Sequence, residues 1–159
     1  MPTRKKASPA PDAITLLKKD HEKVRGLLKK LESAALRGDS KAEELLANID
    51  REVKIHSQVE EEIFYPAFHE AARTKEQNKL FFEAKEEHHV VDMVMPEVSD
   101  SEGNEIFAAK AKVLRDLIEH HADEEESEMF PAAKKLMGSE QLRELGRRIK
   151  QRKQQLGAE

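Results

Sequence analysis

Apolar residues recur every three or four positions in four long stretches of this chain, and this spacing is typical of amphipathic α-helices. Residues that commonly begin or end helices separate the stretches. They are Asp12, Gly38, Ser40–Glu43, Thr74–Gln77 and the turn-rich loop 99–104. We predict capping boxes at Ser40–Glu43 and Thr74–Gln77, and we predict that Ser139 caps a fifth, shorter helix. Because short links favour antiparallel neighbours, the sequence predicts an all-α, up-down-up-down four-helix bundle with a short additional C-terminal helix.

The length and composition fit a single helical domain. The chain has 159 residues, of which 38% are charged and 38% hydrophobic, with only six glycines and six prolines. Residues 1–11 are Pro-rich and basic, and we predict a disordered tail there. We predict the bundle over residues 12–138 and a basic C-terminal helix over residues 139–159.

The chain has no cysteine. This excludes disulfides, iron–sulfur clusters, thiolate zinc sites and thiol nucleophiles, so a bound metal must use nitrogen and oxygen ligands. No stretch approaches the roughly 20 apolar residues of a membrane span, and the N-terminal segment lacks the apolar part of a signal peptide. We therefore expect a cytoplasmic protein without membrane contact, and the net charge of −4 argues against general nucleic-acid binding.

An internal repeat places histidine and glutamate at matching positions of the second and fourth predicted helices. The second reads His-Ser-Gln-Val-Glu from His56 and the fourth reads His-Ala-Asp-Glu-Glu from His121; in both, a proline follows the histidine by ten positions. The first and third helices match around His21 and His88, each preceded by an acidic residue. The chain therefore consists of two similar helical hairpins, each with the pattern His, then His-x-x-x-Glu.

Helical spacing brings these side chains to one level of the predicted interior. Residues four apart lie on the same face, so His56 and Glu60 point inward together, as do His121 and Glu125. His21 and His56 lie at similar distances from the first predicted turn, so they reach the same depth across the hairpin. They can therefore share one ligand.

Burying four imidazoles and two carboxylates without partners would cost several kcal/mol for each charge, and a bound cation removes that cost. Imidazole and carboxylate ligands suit iron, zinc, copper or manganese. Six donors exceed the usual four of a zinc site, and two carboxylates on facing helices could each bridge a pair of ions. Two iron ions fit best, and two zinc ions remain an alternative.

The pattern His, His-x-x-x-Glu, His, His-x-x-x-Glu resembles that of the hemerythrin-like, or HHE cation-binding, domains. The resemblance covers about residues 12–137. It implies a non-haem di-iron centre that binds dioxygen, and relatives are linked to nitric oxide, peroxide or iron sensing. It also implies that the two glutamates bridge the metal ions. The ligands that it implies are His21, His56, Glu60, His88, His121 and Glu125.

One position departs from the pattern of the oxygen carriers in that family. They have a further histidine one turn before the ligand on the third helix, where this chain has Ala84. This departure argues against an oxygen store with five histidines. It favours an open position on one ion that admits peroxide or nitric oxide.

Several residues beside the predicted ligands have simpler interpretations. His89 and His120 face about 100° away from their neighbours on an ideal helix, so we predict surface positions or contacts with a ligand. The acidic runs 60–62 and 123–126 are mainly solvated, although one or two members could orient a ligand histidine through its second nitrogen.

Three further residues follow the predicted ligands along the second and fourth helices. Tyr65 lies close enough to touch the site, and we predict that it mainly packs in the core. Pro66 and Pro131 lie inside helical patterns, so we predict that they kink both helices just beyond the ligands.

The leading hypothesis is a di-iron protein that binds or reduces dioxygen, hydrogen peroxide or nitric oxide. The alternative is a metal or redox sensor, without turnover, whose centre switches the bundle and its basic helix toward a partner. A third interpretation is a helical interaction protein with zinc or no metal inside. The pattern alone does not decide whether the chain is an enzyme.

Overall fold

The computed structural model describes residues 10–101 and 104–158, and all regular structure in these ranges is helical. The all-α prediction is therefore confirmed. Residues 1–9 of the predicted tail and residues 102 and 103 of the predicted loop lie outside the described residues. Among the helices that are described, none is both long and apolar enough to cross a membrane. The α-helices are α1 (Ala13–Leu36), α2 (Lys41–Val59), α3 (Tyr65–Ala71), α4 (Lys75–Ser99), α5 (Asn104–Glu124), α6 (Phe130–Leu136) and α7 (Ser139–Gln155).

Two helices begin at the predicted capping residues. The side chain of Asp12 accepts a hydrogen bond from the Thr15 backbone N–H at 2.8 Å. Thr74 and Gln77 form the expected capping box at the start of α4. In both cases the cap has an extended backbone, which lets its side-chain oxygen reach an otherwise unpaired N–H group of the first turn.

The caps predicted at two serines are wrong. The backbone of Ser40 is already helical, so its side chain makes no capping bond, and Asp39 accepts a hydrogen bond from the Lys41 N–H at 2.9 Å instead. Ser139 is the first residue of α7, and Gly138 occupies the cap position. The helices nevertheless begin within one residue of the predicted positions.

A π-helical segment precedes each of the two prolines for which a kink was predicted. Glu60–Phe64 joins α2 to α3, and Glu125–Met129 joins α5 to α6. In the first, the Tyr65 N–H bonds to the carbonyl of Glu60, five residues earlier rather than four. Proline has no N–H with which to continue the regular pattern, and π segments are frequent at functional sites. At the predicted kinks, each helix therefore has a widened π-helical turn that begins at a predicted glutamate ligand.

Two apolar clusters fill the interior. The first lies toward α3, α6 and α7 and includes Phe64 and Phe130, while the second lies toward the turn between α1 and α2 and includes Leu31 and Ile49. Each fully buried side chain of this size contributes about 1.5–3 kcal/mol. Helix α1 packs along α2 and α5, and α4 packs along α5. Between the two clusters lies a layer of polar side chains.

The C-terminal helix packs against the first apolar cluster. Leu142, Leu145 and Ile149 of α7 are buried there with residues at the start of α1. At Gly146 the two backbones approach so closely that an added Cβ would lie 2.4 Å from the carbonyl oxygen of Pro11. Helix α7 therefore belongs to the same packed body as α1.

Candidate metal centre

The six predicted ligands converge between the two apolar clusters. Each is at most 8% exposed, and no other charged residue or histidine is buried among residues 10–101 and 104–158. Four different helices and both π segments contribute them. His21 lies on α1, His56 on α2, His88 on α4 and His121 on α5, while Glu60 and Glu125 begin the two π segments.

The donor atoms form two groups in which all atoms lie within 4.8 Å of one another. The first group takes one atom from each of His21, His56, Glu60 and Glu125. The second group takes one atom from each of Glu60, His88 and His121. Imidazole and carboxylate atoms bind a metal ion at about 2.0–2.2 Å, so small side-chain adjustments would bring each group around one ion. Each group therefore has the dimensions of a site that could hold a metal ion.

Both glutamates lie between the two histidine pairs. Oε1 of Glu60 lies 2.9 Å from Nε2 of His56 and 3.2 Å from Nε2 of His88. Oε1 of Glu125 contacts the histidines of α5 and α1 in the same way, at 2.8 and 3.4 Å. Each carboxylate thus contacts one histidine of each pair, as a carboxylate that bridges two ions must.

Several buried polar atoms in this layer lack partners. Among the described side chains, seven buried nitrogen and oxygen atoms have no hydrogen-bond partner, and all seven belong to the predicted ligands. They include both ring nitrogens of His21 and both carboxylate oxygens of Glu60. An unsatisfied buried polar atom costs about 1–3 kcal/mol, and such atoms are uncommon in native interiors. Apart from the Nδ1 atoms of His21 and His88, which face outward, these atoms are inner donors, and a cation bound among them would remove their cost. The residues present therefore fit a metal ion.

The outer ring nitrogen of each histidine faces a second carboxylate. Nδ1 of His56 lies 2.9 Å from Asp20, and Nδ1 of His121 lies 3.0 Å from Glu87. A carboxylate at this position fixes the orientation and tautomer of a ring and leaves Nε2 available to a metal. The Nδ1 atoms of the other two histidines lie 3.4 and 3.6 Å from Glu126 and Glu61.

These four carboxylates follow the internal repeat. Asp20 and Glu87 each precede a histidine of the repeat, while Glu61 and Glu126 each follow one of its glutamates. The sequence-based interpretation allowed such a role for one or two members of the acidic runs, and it missed Asp20 and Glu87. The acidic residue before the histidine in both hairpins was the signal that could have identified them.

Burial and ion pairing have opposite effects on the protonation of the centre. Burial alone would lower the pKa of His56, but Glu60 and Asp20 outweigh it and raise the pKa to about 10. Burial would raise the pKa of Glu60, yet His56 and other neighbours hold it well below its usual range. For His121, burial is again outweighed by the surrounding carboxylates, which raise its pKa well above the usual value. In the metal-free chain these histidines therefore carry protons.

Tyr65 packs in the first apolar cluster, as predicted, and its hydroxyl also points into the centre. It lies 3.1 Å from Nε2 of His88 and 3.3 Å from Nε2 of His121, and it donates a hydrogen bond to Glu125 at 3.3 Å. On a regular α-helix, Tyr65 would face about 140° away from Glu60. The π segment between them changes this phase and turns the tyrosine inward.

The repeat is broken at the position of this tyrosine. Phe130 occupies the corresponding place five residues after Glu125. Its ring stacks on His21, with 5.9 Å between the ring centroids. The centre therefore has a hydroxyl group beside one histidine pair and a phenyl ring beside the other.

A cavity of about 40 Å³ adjoins the centre. All four histidines of the centre contribute to its wall. Its volume exceeds the roughly 10–15 Å³ that one water molecule requires, so a small molecule has room beside the donors. The apolar part of the wall includes Val24, Val53, Val91 and Ile118.

The two histidines next to predicted ligands lie outside the centre. His89 is exposed. The side chain of His120 is 65% exposed and contacts two glutamates at 3.2 and 3.5 Å. Of each neighbouring pair, the predicted member, His88 or His121, faces inward.

The sequence similarity to other proteins extends over nearly the whole chain. The family model of the Hemerythrin HHE cation binding domain matches residues 12–133. Uncharacterised proteins of Mycobacterium tuberculosis and Mycobacterium bovis are 27% identical over 149 residues, which cover 91% of this chain and 87% of each relative. A DNA nickase of Nostoc sp. is 24% identical over 89% of this chain but only 39% of its own length.

A solved structure shares the fold. The chain is similar to a crystal structure of a Hemerythrin HHE cation binding domain-containing protein from Mycobacterium kansasii, with a TM-score of 0.78 and 27% identity. The similarity covers 92% of this chain and 87% of the other. The family match includes all six predicted ligands. The chain therefore belongs to the hemerythrin HHE cation-binding domain family.

Proposed function

We propose that the centre holds two iron ions and that it binds or reacts with a small oxidant: dioxygen, hydrogen peroxide or nitric oxide. The observation that carries this proposal is the pair of donor groups that share Glu60, with Glu125 in contact with a histidine of each pair. A single zinc ion usually takes four ligands, whereas six nitrogen and oxygen donors around two shared carboxylates suit two iron ions.

Each side chain would have one task. Iron, when bound, supplies redox chemistry and an open coordination position for a small ligand. The four carboxylates behind the histidines would hold the rings in place, and the apolar clusters would keep bulk water away. The proposed ligands are His21 and His56 for one ion, His88 and His121 for the other, and Glu60 and Glu125 for both.

The size of the cavity supports a small oxidant as the ligand. Pockets for organic substrates usually measure about 300–1,000 Å³. The cavity beside the histidines measures about 40 Å³, too small for such a substrate, and the apolar part of its wall is formed by Val24, Val53, Val91 and Ile118. These properties favour a molecule of the size of dioxygen, peroxide or nitric oxide.

The position of Ala84 supports an open coordination site rather than a fifth histidine ligand. Ala84 is 3% exposed and lies on α4, one turn before His88. Its methyl group offers no metal ligand. With Met129 it lines a small gap that reaches Glu125. We propose that, without a histidine at residue 84, the centre would keep one coordination position that its own side chains do not fill.

We also propose the up-down-up-down order for the four long rods, with α7 as the additional helix. The first rod is α1, the second combines α2 and α3, the third is α4, and the fourth combines α5 and α6. Contacts of α1 with α2 and α5, and of α4 with α5, support this order. The common depth of the four histidines supports it as well.

Iron content and optical spectra test the proposed function. Protein from iron-replete cells should contain about two irons per chain, one for each donor group. His121→Ala should lose iron, whereas His89→Ala, a change at an exposed histidine beside His88, should keep it. Dioxygen, peroxide or nitric oxide should change the spectrum of the wild type but not that of His121→Ala. Iron-free wild type, or equal iron in both variants, would contradict the proposal.

A metal or redox sensor without turnover is the second candidate function, and the contacts of α7 favour it. Lys153 contacts Asp20, which contacts His56, so the basic helix is connected to the centre. In a sensor, iron should slow hydrogen exchange in residues 139–158. If exchange there is the same with and without iron, the oxidant-reactive centre is favoured.

A further inference from the structure

The C-terminal helix holds one of the four carboxylates behind the histidines. One oxygen of Asp20 lies 2.9 Å from Nδ1 of His56, and the other accepts a hydrogen bond from Nζ of Lys153. Lys153 follows Asp20 by 133 positions, so this contact depends on the packing of α7 against α1. A continuous path of polar contacts therefore leads from α7 to a proposed ligand.

Asp20 differs from the other three carboxylates in its surroundings. Among the described residues, Glu126 pairs with Arg25 of α1 at 2.8 Å, and Glu87 faces an exposed histidine of α5. The side chain of Glu61 is 44% exposed, while that of Asp20 is only 13% exposed, the least of the four. Solvent screens a buried charge pair less than an exposed one. A cation beside Asp20 therefore has the strongest influence on its histidine.

Close packing fixes the position of Lys153. At Gly146 the backbone of α7 meets the backbone of Pro11 and Asp12. Seven residues further along α7, Lys153 meets Asp20, which lies eight residues beyond Asp12 on α1. The approach at Gly146 and the burial of Leu145 and Ile149 in the cluster shared with α1 hold α7 along α1, and this packing places Lys153 beside Asp20.

We propose that Lys153 is a positioning residue of the metal centre, which acts through Asp20 to hold the His56 ring with Nε2 toward the metal. This inference rests on the proposed metal function. The two halves of the centre would then be unequal, because α7 would support the ion near His21 and His56 and, within the described part of the chain, makes no such contact with the other histidine pair. Loss of the lysine should therefore weaken the binding of one ion and leave the binding of the other unchanged.

Iron release from full-length protein tests this inference. Lys153→Gln removes the cation, and Arg152→Gln is the matched control, since Arg152 pairs with the exposed side chain of Glu62. Each variant is loaded with iron(II), and transfer of iron to a chelator is followed with time. In Lys153→Gln, one iron per chain should leave about tenfold faster than in the wild type, because loss of groups that orient a ligand histidine weakens metal binding by about 10- to 100-fold. The second iron should leave at the wild-type rate.

The control variants separate positioning from general stability. Arg152→Gln should release both irons at the wild-type rate, and Lys153→Arg should restore slow release. Lys153→Met, which keeps the apolar stem, should behave like Lys153→Gln. If Lys153→Gln and Lys153→Met both release iron at the wild-type rate, or if both irons leave them faster, the inference is overturned and the metal function stands. A wild type that takes up no iron would overturn the proposed function itself.

Discussion

Each of the four central histidines has its two ring nitrogens in different environments. At His56, Nε2 faces Glu60 in the interior, and Nδ1 faces Asp20 toward the surface. A proton on Nδ1 shared with the outer carboxylate leaves the lone pair of Nε2 for a metal. At His56 and His121 the outer carboxylates therefore select the ring tautomer that suits metal binding.

Metal binding should release protons, because His56 is protonated in the metal-free chain near neutral pH. Burial would lower its pKa, but Glu60 and Asp20 raise it from 6.5 to about 10. This ion pairing stabilises the metal-free fold fully below pH 6.5 and is lost as the pH rises through about 10. Metal affinity should increase over the same range, since deprotonation of the ring costs less.

Calorimetric titration with zinc, a redox-inactive probe, measures this proton release. Two buffers with different ionisation enthalpies should give different apparent heats at neutral pH. Identical heats in the two buffers would mean that no proton leaves the centre. That result would contradict the pKa assigned to His56.

The sequence predicted which histidines and glutamates face inward, because helical spacing determines which residues share a face. Such spacing separates His88 from His89 and His121 from His120, and the structure shows the predicted member of each pair buried. The direction of the Tyr65 hydroxyl could not be predicted in this way, because it depends on a π segment that a regular helical period does not describe.

Among the helices, the starts and the effect of the two internal prolines could be predicted from the sequence, whereas the contacts of α7 could not. Periodicity identifies a buried face on α7 but not the surface against which that face packs. The structure shows that this surface is the cluster shared with α1, in which Leu145 and Ile149 are buried. The lack of a Cβ at Gly146 permits this close approach.

Alanine should have opposite effects at two glycines that both lie within helices. At Gly26 an added Cβ meets nothing within 4 Å, so Gly26→Ala should stabilise by about 0.5–1 kcal/mol. At Gly146 the Cβ would lie 2.4 Å from the Pro11 carbonyl oxygen, and overpacking of this kind costs about 1–3 kcal/mol. Urea unfolding of the two variants measures the free energies. Stabilisation by both changes would contradict the close contact between α7 and α1.

At the scale of the whole molecule, the fold consists of a polar layer between two apolar clusters. The clusters hold the helices in place, and the helices hold six donors at one level. The sequence predicted this level from the similar spacing of the histidines in the two hairpins. It could not predict the pairing of donors into two groups, since pairing depends on distances between helices that periodicity does not contain.

Anomalous diffraction at the iron absorption edge, from crystals of iron-loaded protein, would locate the ions among the six donors. We expect two iron peaks per chain, about 3.5–4 Å apart, each between one histidine pair and the two shared glutamates. A single peak, or iron bound only at surface carboxylates, would contradict the proposed two-iron centre.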